Sequence, residues 1–217
     1  TLPSRIFPRL RLVKRSPQRI VFIQSCCIGD VVVATPTLKA LRQGYPNAHI
    51  TWAVGSWSRR AIEHHDLLDA FIDTGARDLP VYNWRDFWRF VRQLRNGQFD
   101  MAVSLVRSPL MSLAVYLSGI PVRVGVDSAG RGFGYNLRVP VDPNQPRHEA
   151  EIYLDVARKL GLSTNNCYVN IPLIESDTQR IDELLAEKGI SSPYIVIHPA
   201  GGSNPGMVMD SKRYPPE

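Results

Sequence analysis

The chain reads as an α/β protein: a Rossmann-like, doubly wound and mostly parallel sheet, followed by the start of a second α/β domain. Three observations predict this. Apolar runs suited to strands buried on both faces alternate with amphipathic helical stretches from residue 19 to about residue 160. The first run ends in a glycine–aspartate corner, Gly29-Asp30, that leads directly into a helix. The next strand, 49–54, arrives one helix later and completes a βαβ unit.

The elements follow in order. Val21, Phe22 and Ile23 form the first strand. Gly29 permits a sharp turn and lets a ligand approach the backbone. Asp30 opens the helix, so a carboxylate sits at the carboxyl end of the first strand, where open α/β sheets place their ligand crevice. Val31, Ala34, Leu38 and Leu41 recur at three- and four-residue steps on one buried face. Pro36 either kinks this helix or restarts it with Thr35 as N-cap, and Gly44 ends it. Ser56 caps a helix reaching residue 65, and a short strand follows at 70–73. Asn83 caps a helix expected to bury Trp84, Phe87, Trp88, Val91 and Leu94.

A strand at 101–106 ends in Arg107-Ser108-Pro109 and passes into a helix at 110–118. A further strand covers 122–126. The glycine-rich segment 127–134 reads as a mobile loop and 139–146 as a proline-rich connection. A helix over 148–160 is ended by Gly161, and Ser176 caps another that reaches Lys188. Residues 194–198 begin a new strand, with a loop at 199–211. The division is a basic leader over 1–18, a first domain over 19–170, and a linker helix with the beginning of a second domain over 171–217. Lys212 to Glu217 look like a helix's first turn, so the chain is expected to be a fragment.

Composition excludes several classes. The net charge of +6 is local, because the first 19 residues hold six basic groups and no acid; beyond them basic and acidic residues balance at 20 each. The leader is read as a solvated tail, with peripheral contact to an anionic membrane as the alternative. No aromatic stacking platform accompanies its charge, which argues against nucleic acid as a partner. No apolar run approaches the roughly 20 residues that span a bilayer. Cys26, Cys27 and Cys167 are an odd count without paired spacing, which argues against a disulfide framework and for a reducing compartment. Cys26 and Cys27 read as small buried filler, one on each side of the corner, with reactive thiols beside the site as the alternative. No spacing suggests a metal site.

Three blocks carry a family resemblance. IGDVVVATPTLKALRQGYPNAHITWAVG resembles the opening of glycosyltransferase family 9, the ADP-heptose:lipopolysaccharide heptosyltransferases. GVDSAGRGFGYNLRVP, with the helix after it, and YIVIHPAGGSNPGMVMDSKRYPPE are similar to later family blocks. The resemblance implies the GT-B fold, with this chain supplying the N-terminal, acceptor-side domain. It further implies an inverting single displacement, without metal or other cofactor, from an ADP-linked sugar (heptose) to a lipopolysaccharide-type or other cell-envelope glycan acceptor. Such a protein is cytoplasmic or peripheral at the inner face of the cytoplasmic membrane.

The implied roles fall on particular residues. Asp30 matches the family's catalytic aspartate, the base that takes the acceptor hydroxyl's proton; the alternative is an N-cap aspartate that satisfies helix amides. Lys212 and Ser203 match the positions that hold the donor's phosphates, and Asn204 lies in the same loop. Gly29, Arg59, Arg60 and Arg107 are the candidates for contact with an anionic acceptor. A basic residue is common in the family shortly before the glycine–aspartate step, where this chain has Gln24 and Ser25. The isolated chain is expected to be inactive, because the donor pocket lies mainly in the other half. Two readings from other classes stand beside this one: a non-catalytic Rossmann-like nucleotide-binding domain, and a membrane-associated interaction module.

Overall fold

The computed structural model describes residues 16–75, 83–142 and 144–198. Most of the basic leader, the donor-phosphate candidates Ser203, Asn204 and Lys212, and the expected terminal helix turn lie outside the described residues. Six strands form one sheet: β1 (Arg19–Ile23), β2 (His49–Val54), β3 (Ala70–Asp73), β4 (Met101–Ser104), β5 (Val122–Ser128) and β6 (Leu137–Val141). Their order is β3-β2-β1-β4-β5-β6, and every pair is parallel. The chain winds outward from β1 in one direction and then, from β4, in the other. Between β1 and β4 lies the switch point, outside whose carboxyl ends such sheets bind ligands.

The helices are α1 (Ile28–Gly44), α2 (Ser56–Arg59), α3 (Trp84–Asn96), α4 (Pro109–Leu117), α5 (Glu149–Lys159) and α6 (Glu175–Glu187); α1 and α5 cover one face of the sheet, α3 and α4 the other, and α6 buries no residue. Alternating side chains divide each strand between two cores. Ile20, Phe22, Ile50 and Trp52 face α1 and α5, meeting Leu38, Leu41, Ile152 and Val156. Val21, Ile23, Ala53 and Ala102 face α3 and α4, meeting Phe87, Phe90, Met111 and Val115. Burial on both sides is why these strands are continuously apolar.

Several boundaries differ from the sequence expectations, each for a local reason. Helix α1 runs unbroken through Pro36. The proline has no N–H to give the Val32 carbonyl, and the Thr35 hydroxyl donates to that oxygen instead, at 2.7 Å. Helix α2 stops at Arg59 and is capped by Gly55 rather than Ser56. In α3 the buried set is Phe87, Phe90, Val91 and Leu94, a stripe at helical spacing, while Trp84 and Trp88 are 68% and 44% exposed. The two tryptophans stack on each other along the flank of that stripe.

Of the segment 127–134, Asp127 and Ser128 complete β5 and 129–134 are hydrogen-bonded turns, with Gly132 N–H donating to Asp127 Oδ1 at 2.9 Å and Tyr135 N–H to the Gly132 carbonyl at 3.0 Å. These turns replace a crossover helix between β5 and β6. Part of the expected proline-rich connection is strand β6, whose Pro140 is tolerated on an edge strand. Helix α6 begins at Glu175, one residue before the expected cap, and Asp177 accepts from the Ile174 N–H at 3.3 Å. Residues 194–198 form no strand, and Ile195, Val196 and Ile197 are more than four-fifths exposed. A strand needs a neighbour to complete its backbone hydrogen bonds, and no described residues supply one here.

Candidate functional site

A cleft of about 220 Å³ opens at the switch point, lined by Gln24, Ser25, Cys26, Asp30, Leu105, Val106, Arg107, Glu149 and Tyr153. Three segments supply it: the corner after β1, the exit from β4, and the first turns of α5. Strand β4 stops at Ser104, shorter than its apolar run, which frees residues 105–107 to form the wall. Helix α5 packs along α1. Glu149 and Tyr153, one turn apart on α5, therefore face the end of β1.

The corner itself is built differently from the sequence expectation. Helix α1 begins at Ile28, and its N-cap is Cys27, which makes no side-chain capping bond. Asp30 is thus the third helical residue rather than the cap, with its carboxylate in the first turn and on the cleft wall. The left-handed residue of the corner is Cys27, with φ of 65°. Gly29 is helical and exposed, and a Cβ there would meet nothing within 4 Å, so the turn does not require a glycine at that position. Cys27's backbone also breaks the alternation that sends neighbouring side chains to opposite sides. Cys26 and Cys27 are joined as a disulfide, not left as separate filler residues.

Opposite charges face each other across the cleft. Arg107 Nη2 meets Glu149 Oε2 at 2.7 Å, and both are partly exposed. The Tyr153 phenol is pushed far above its ordinary range, first by burial and then by the negative charges of Asp30 and Glu149, with Arg107 a partial offset. It stays neutral at any physiological pH and serves as a hydrogen-bonding group rather than a charge.

Arg107 alone among the three candidate arginines lines the cleft. Arg59 pairs with Glu63 at 3.1 Å and lies over the Phe71 ring, 4.7 Å from its centroid. Arg60 lies over Trp57 at 5.9 Å. Both belong to the α2 region beyond β2, outside the lining. Glu149 and Tyr153 are additions that sequence reasoning did not single out. Their spacing of four on a helix was visible, but not the packing of α5 on α1 that turns them inward.

A model of glycosyltransferase family 9 (heptosyltransferase) matches residues 87–217, more than half of the chain. The chain belongs to glycosyltransferase family 9. Among curated family relatives, lipopolysaccharide heptosyltransferase 3 of Escherichia coli is 21% identical over 174 residues, covering 79% of this chain and 51% of that protein. The solved family 9 glycosyltransferase of Veillonella parvula superposes with a TM-score of 0.71 at 24% identity, over 91% of this chain and 56% of that one. The E. coli ADP-heptose lipopolysaccharide heptosyltransferase II gives 0.62 at 19% identity, over 80% and 51%. These likenesses establish the GT-B-type α/β fold. The chain spans about half the length of these relatives.

Proposed function

We propose that this chain forms the acceptor-side half of an inverting glycosyltransferase that moves a sugar, heptose, from an ADP-linked donor to a lipopolysaccharide-type or other cell-envelope acceptor. The observation that carries the reading is the placement of Asp30: a carboxylate on the wall of a cleft at the switch point, in a family 9 chain. In the reaction a hydroxyl oxygen of the acceptor attacks the donor's anomeric carbon from the face opposite the diphosphate. The new carbon–oxygen bond forms as the bond to the diphosphate breaks, and ADP leaves with that electron pair. Asp30 takes the hydroxyl proton as the oxygen loses electron density.

Neutral Tyr153 and the Arg107–Glu149 pair form the surrounding wall and orient the acceptor against Asp30. We assign Lys212, Ser203 and Asn204, beyond the described residues, to the departing diphosphate, where a lysine charge and hydroxyl and amide donors offset the developing negative charge. No metal enters this scheme.

The experiment is Asp30→Asn in the complete gene product, assayed for release of ADP from ADP-heptose with a lipopolysaccharide-core acceptor. Turnover is expected to fall about a thousandfold, within the range for loss of a general base. Turnover within about threefold of the parent overturns the assignment of Asp30 as base.

A further inference from the structure

We infer that Gln24 and Arg107 together form a subsite that reads an uncharged sugar hydroxyl on the acceptor, so that the group held beside Asp30 is neutral rather than a phosphate. The inference rests on the transferase reading for the word acceptor, but its geometry is independent of turnover. Gln24 is the residue at which β1 leaves the sheet. Its backbone is fixed from both sides: its N–H donates to the Ala53 carbonyl at 3.3 Å, and its carbonyl accepts from Trp52 Nε1 at 3.1 Å. Its side chain is 4% exposed and lines the cleft. The amide nitrogen is directed to the Cys26 carbonyl at 3.5 Å, which leaves the amide oxygen, buried, with no partner. Arg107 Nε, in the same cleft, is likewise buried without a partner.

A buried acceptor and a buried donor left open in one cleft are an unfilled pair, since buried polar groups are ordinarily hydrogen-bonded. A hydroxyl both donates and accepts, so the hydroxyls of a sugar suit both groups. A phosphate dianion has only acceptor oxygens to offer and would set them against Gln24 Oε1. The charges point the same way. Asp30, Arg107 and Glu149 are the ionisable groups that carry charge on the lining, and Arg107 is matched by Glu149 at 2.7 Å. Among the described residues of the lining, Arg107 is the one cation, and it already faces Glu149.

The test uses the complete gene product and two probes, a methyl heptopyranoside and the same glycoside carrying one phosphate monoester, with dissociation constants measured by calorimetry. The parent is expected to bind the neutral glycoside at least about tenfold more tightly. Gln24→Leu removes the acceptor at similar size and is expected to weaken neutral binding about tenfold. Gln24→Glu retains an oxygen in that position and is expected to stay within about threefold, which separates loss of the contact from loss of the fold. Gln24→Lys is expected to shift preference toward the phosphorylated probe by about tenfold.

Failure of the parent to bind the neutral glycoside, a parent preference for the phosphate, unchanged neutral binding in Gln24→Leu (the oxygen then being met by water alone), or equal losses in Gln24→Leu and Gln24→Glu each overturn the assignment. An Asp30→Asn enzyme that keeps its turnover, by contrast, removes the transferase base and leaves this subsite standing.

Discussion

The two ends of the same parallel strands are finished in opposite ways. At the amino end every polar group named here closes on the protein. Asp100 accepts the backbone N–H groups of Gln18 and Arg19 at 2.8 and 2.9 Å. Asp69 accepts the Ile50 N–H at 2.7 Å and the Arg42 guanidinium at 2.5 Å, while Arg42 also donates to the carbonyls of Pro46, Ala48 and Leu67. At the carboxyl end Gln24 Oε1 and Arg107 Nε are buried without partners, in the cleft that Asp30 and the Arg107–Glu149 pair also line. Satisfied groups hold strands in register; open ones cost stability and are retained where a ligand completes them. The difference separates the part of the sheet that maintains the fold from the part that does chemistry.

Substitutions at the two ends should therefore fail in different assays. Asp30→Asn, the largest effect, is expected to remove about three orders of magnitude of turnover while lowering the thermal midpoint by no more than about 4 °C, the scale set by losing a first-turn carboxylate's attraction to the helix dipole. Differential scanning calorimetry beside the ADP-release assay checks both halves. Arg42→Ala reverses the pattern: it strands Asp69 and three carbonyls, and is expected to cost about 3 kcal/mol with kcat unchanged. Chemical denaturation of the variant measures this, and a loss of turnover without destabilisation would collapse the distinction between the ends.

Gly125→Ala probes the packing between them. A Cβ there would come within 2.5 Å of the Tyr135 ring and 2.8 Å of the Ser104 carbonyl, and the Tyr135 hydroxyl donates to Ser104 Oγ at 2.9 Å. The crowding is expected to cost about 2 kcal/mol, again read by denaturation.

The smallest effect concerns pH. His65 is buried, with burial lowering its affinity for a proton and Asp66 partly offsetting that. The unfolded chain takes up the proton near the ordinary value of 6.5, whereas the folded chain resists it to a lower pH. Stability is thus fully present above about pH 6.5 and falls as the pH drops toward the folded value, where it levels off. His65→Asn should flatten that slope between pH 7 and 5. Burial works against the charged forms of Asp69 and Asp155, but the Ile50 N–H and the Arg42 guanidinium on Asp69, and Arg147 and Arg158 on Asp155, outweigh it and hold both below the usual carboxylate range, so their contribution is lost only below about pH 3.8. A thermal midpoint measured across the range distinguishes the two windows.

How much of this was legible without coordinates differs between fold and site. The α/β alternation, the exact span of β2 and β3, and the Asn83 cap on α3 follow from local periodicity and capping chemistry, and the structure agrees with them. Strand β6 escaped notice because Pro140 and a glycine-rich approach mimic a connection. The tryptophans of α3 misled because size was taken for depth: helical phase, not bulk, decides which residues face the sheet. At the site, Asp30's position after the first strand could be read directly, whereas no spacing announces the disulfide of Cys26 and Cys27 or the left-handed backbone of Cys27.

By itself the sequence determined where most strands and helices lie and which carboxylate follows the first strand, because those depend on periods of two and of about 3.6 residues and on caps a few residues away. Only the tertiary structure decided that Glu149 and Tyr153 turn toward that carboxylate, that Arg107 spends its charge on Glu149, and that Gln24 keeps an oxygen unpaired. Each of these requires segments from 42 to more than 120 residues apart to meet in one cleft, and such meetings are fixed by how whole helices pack on the sheet rather than by any local pattern.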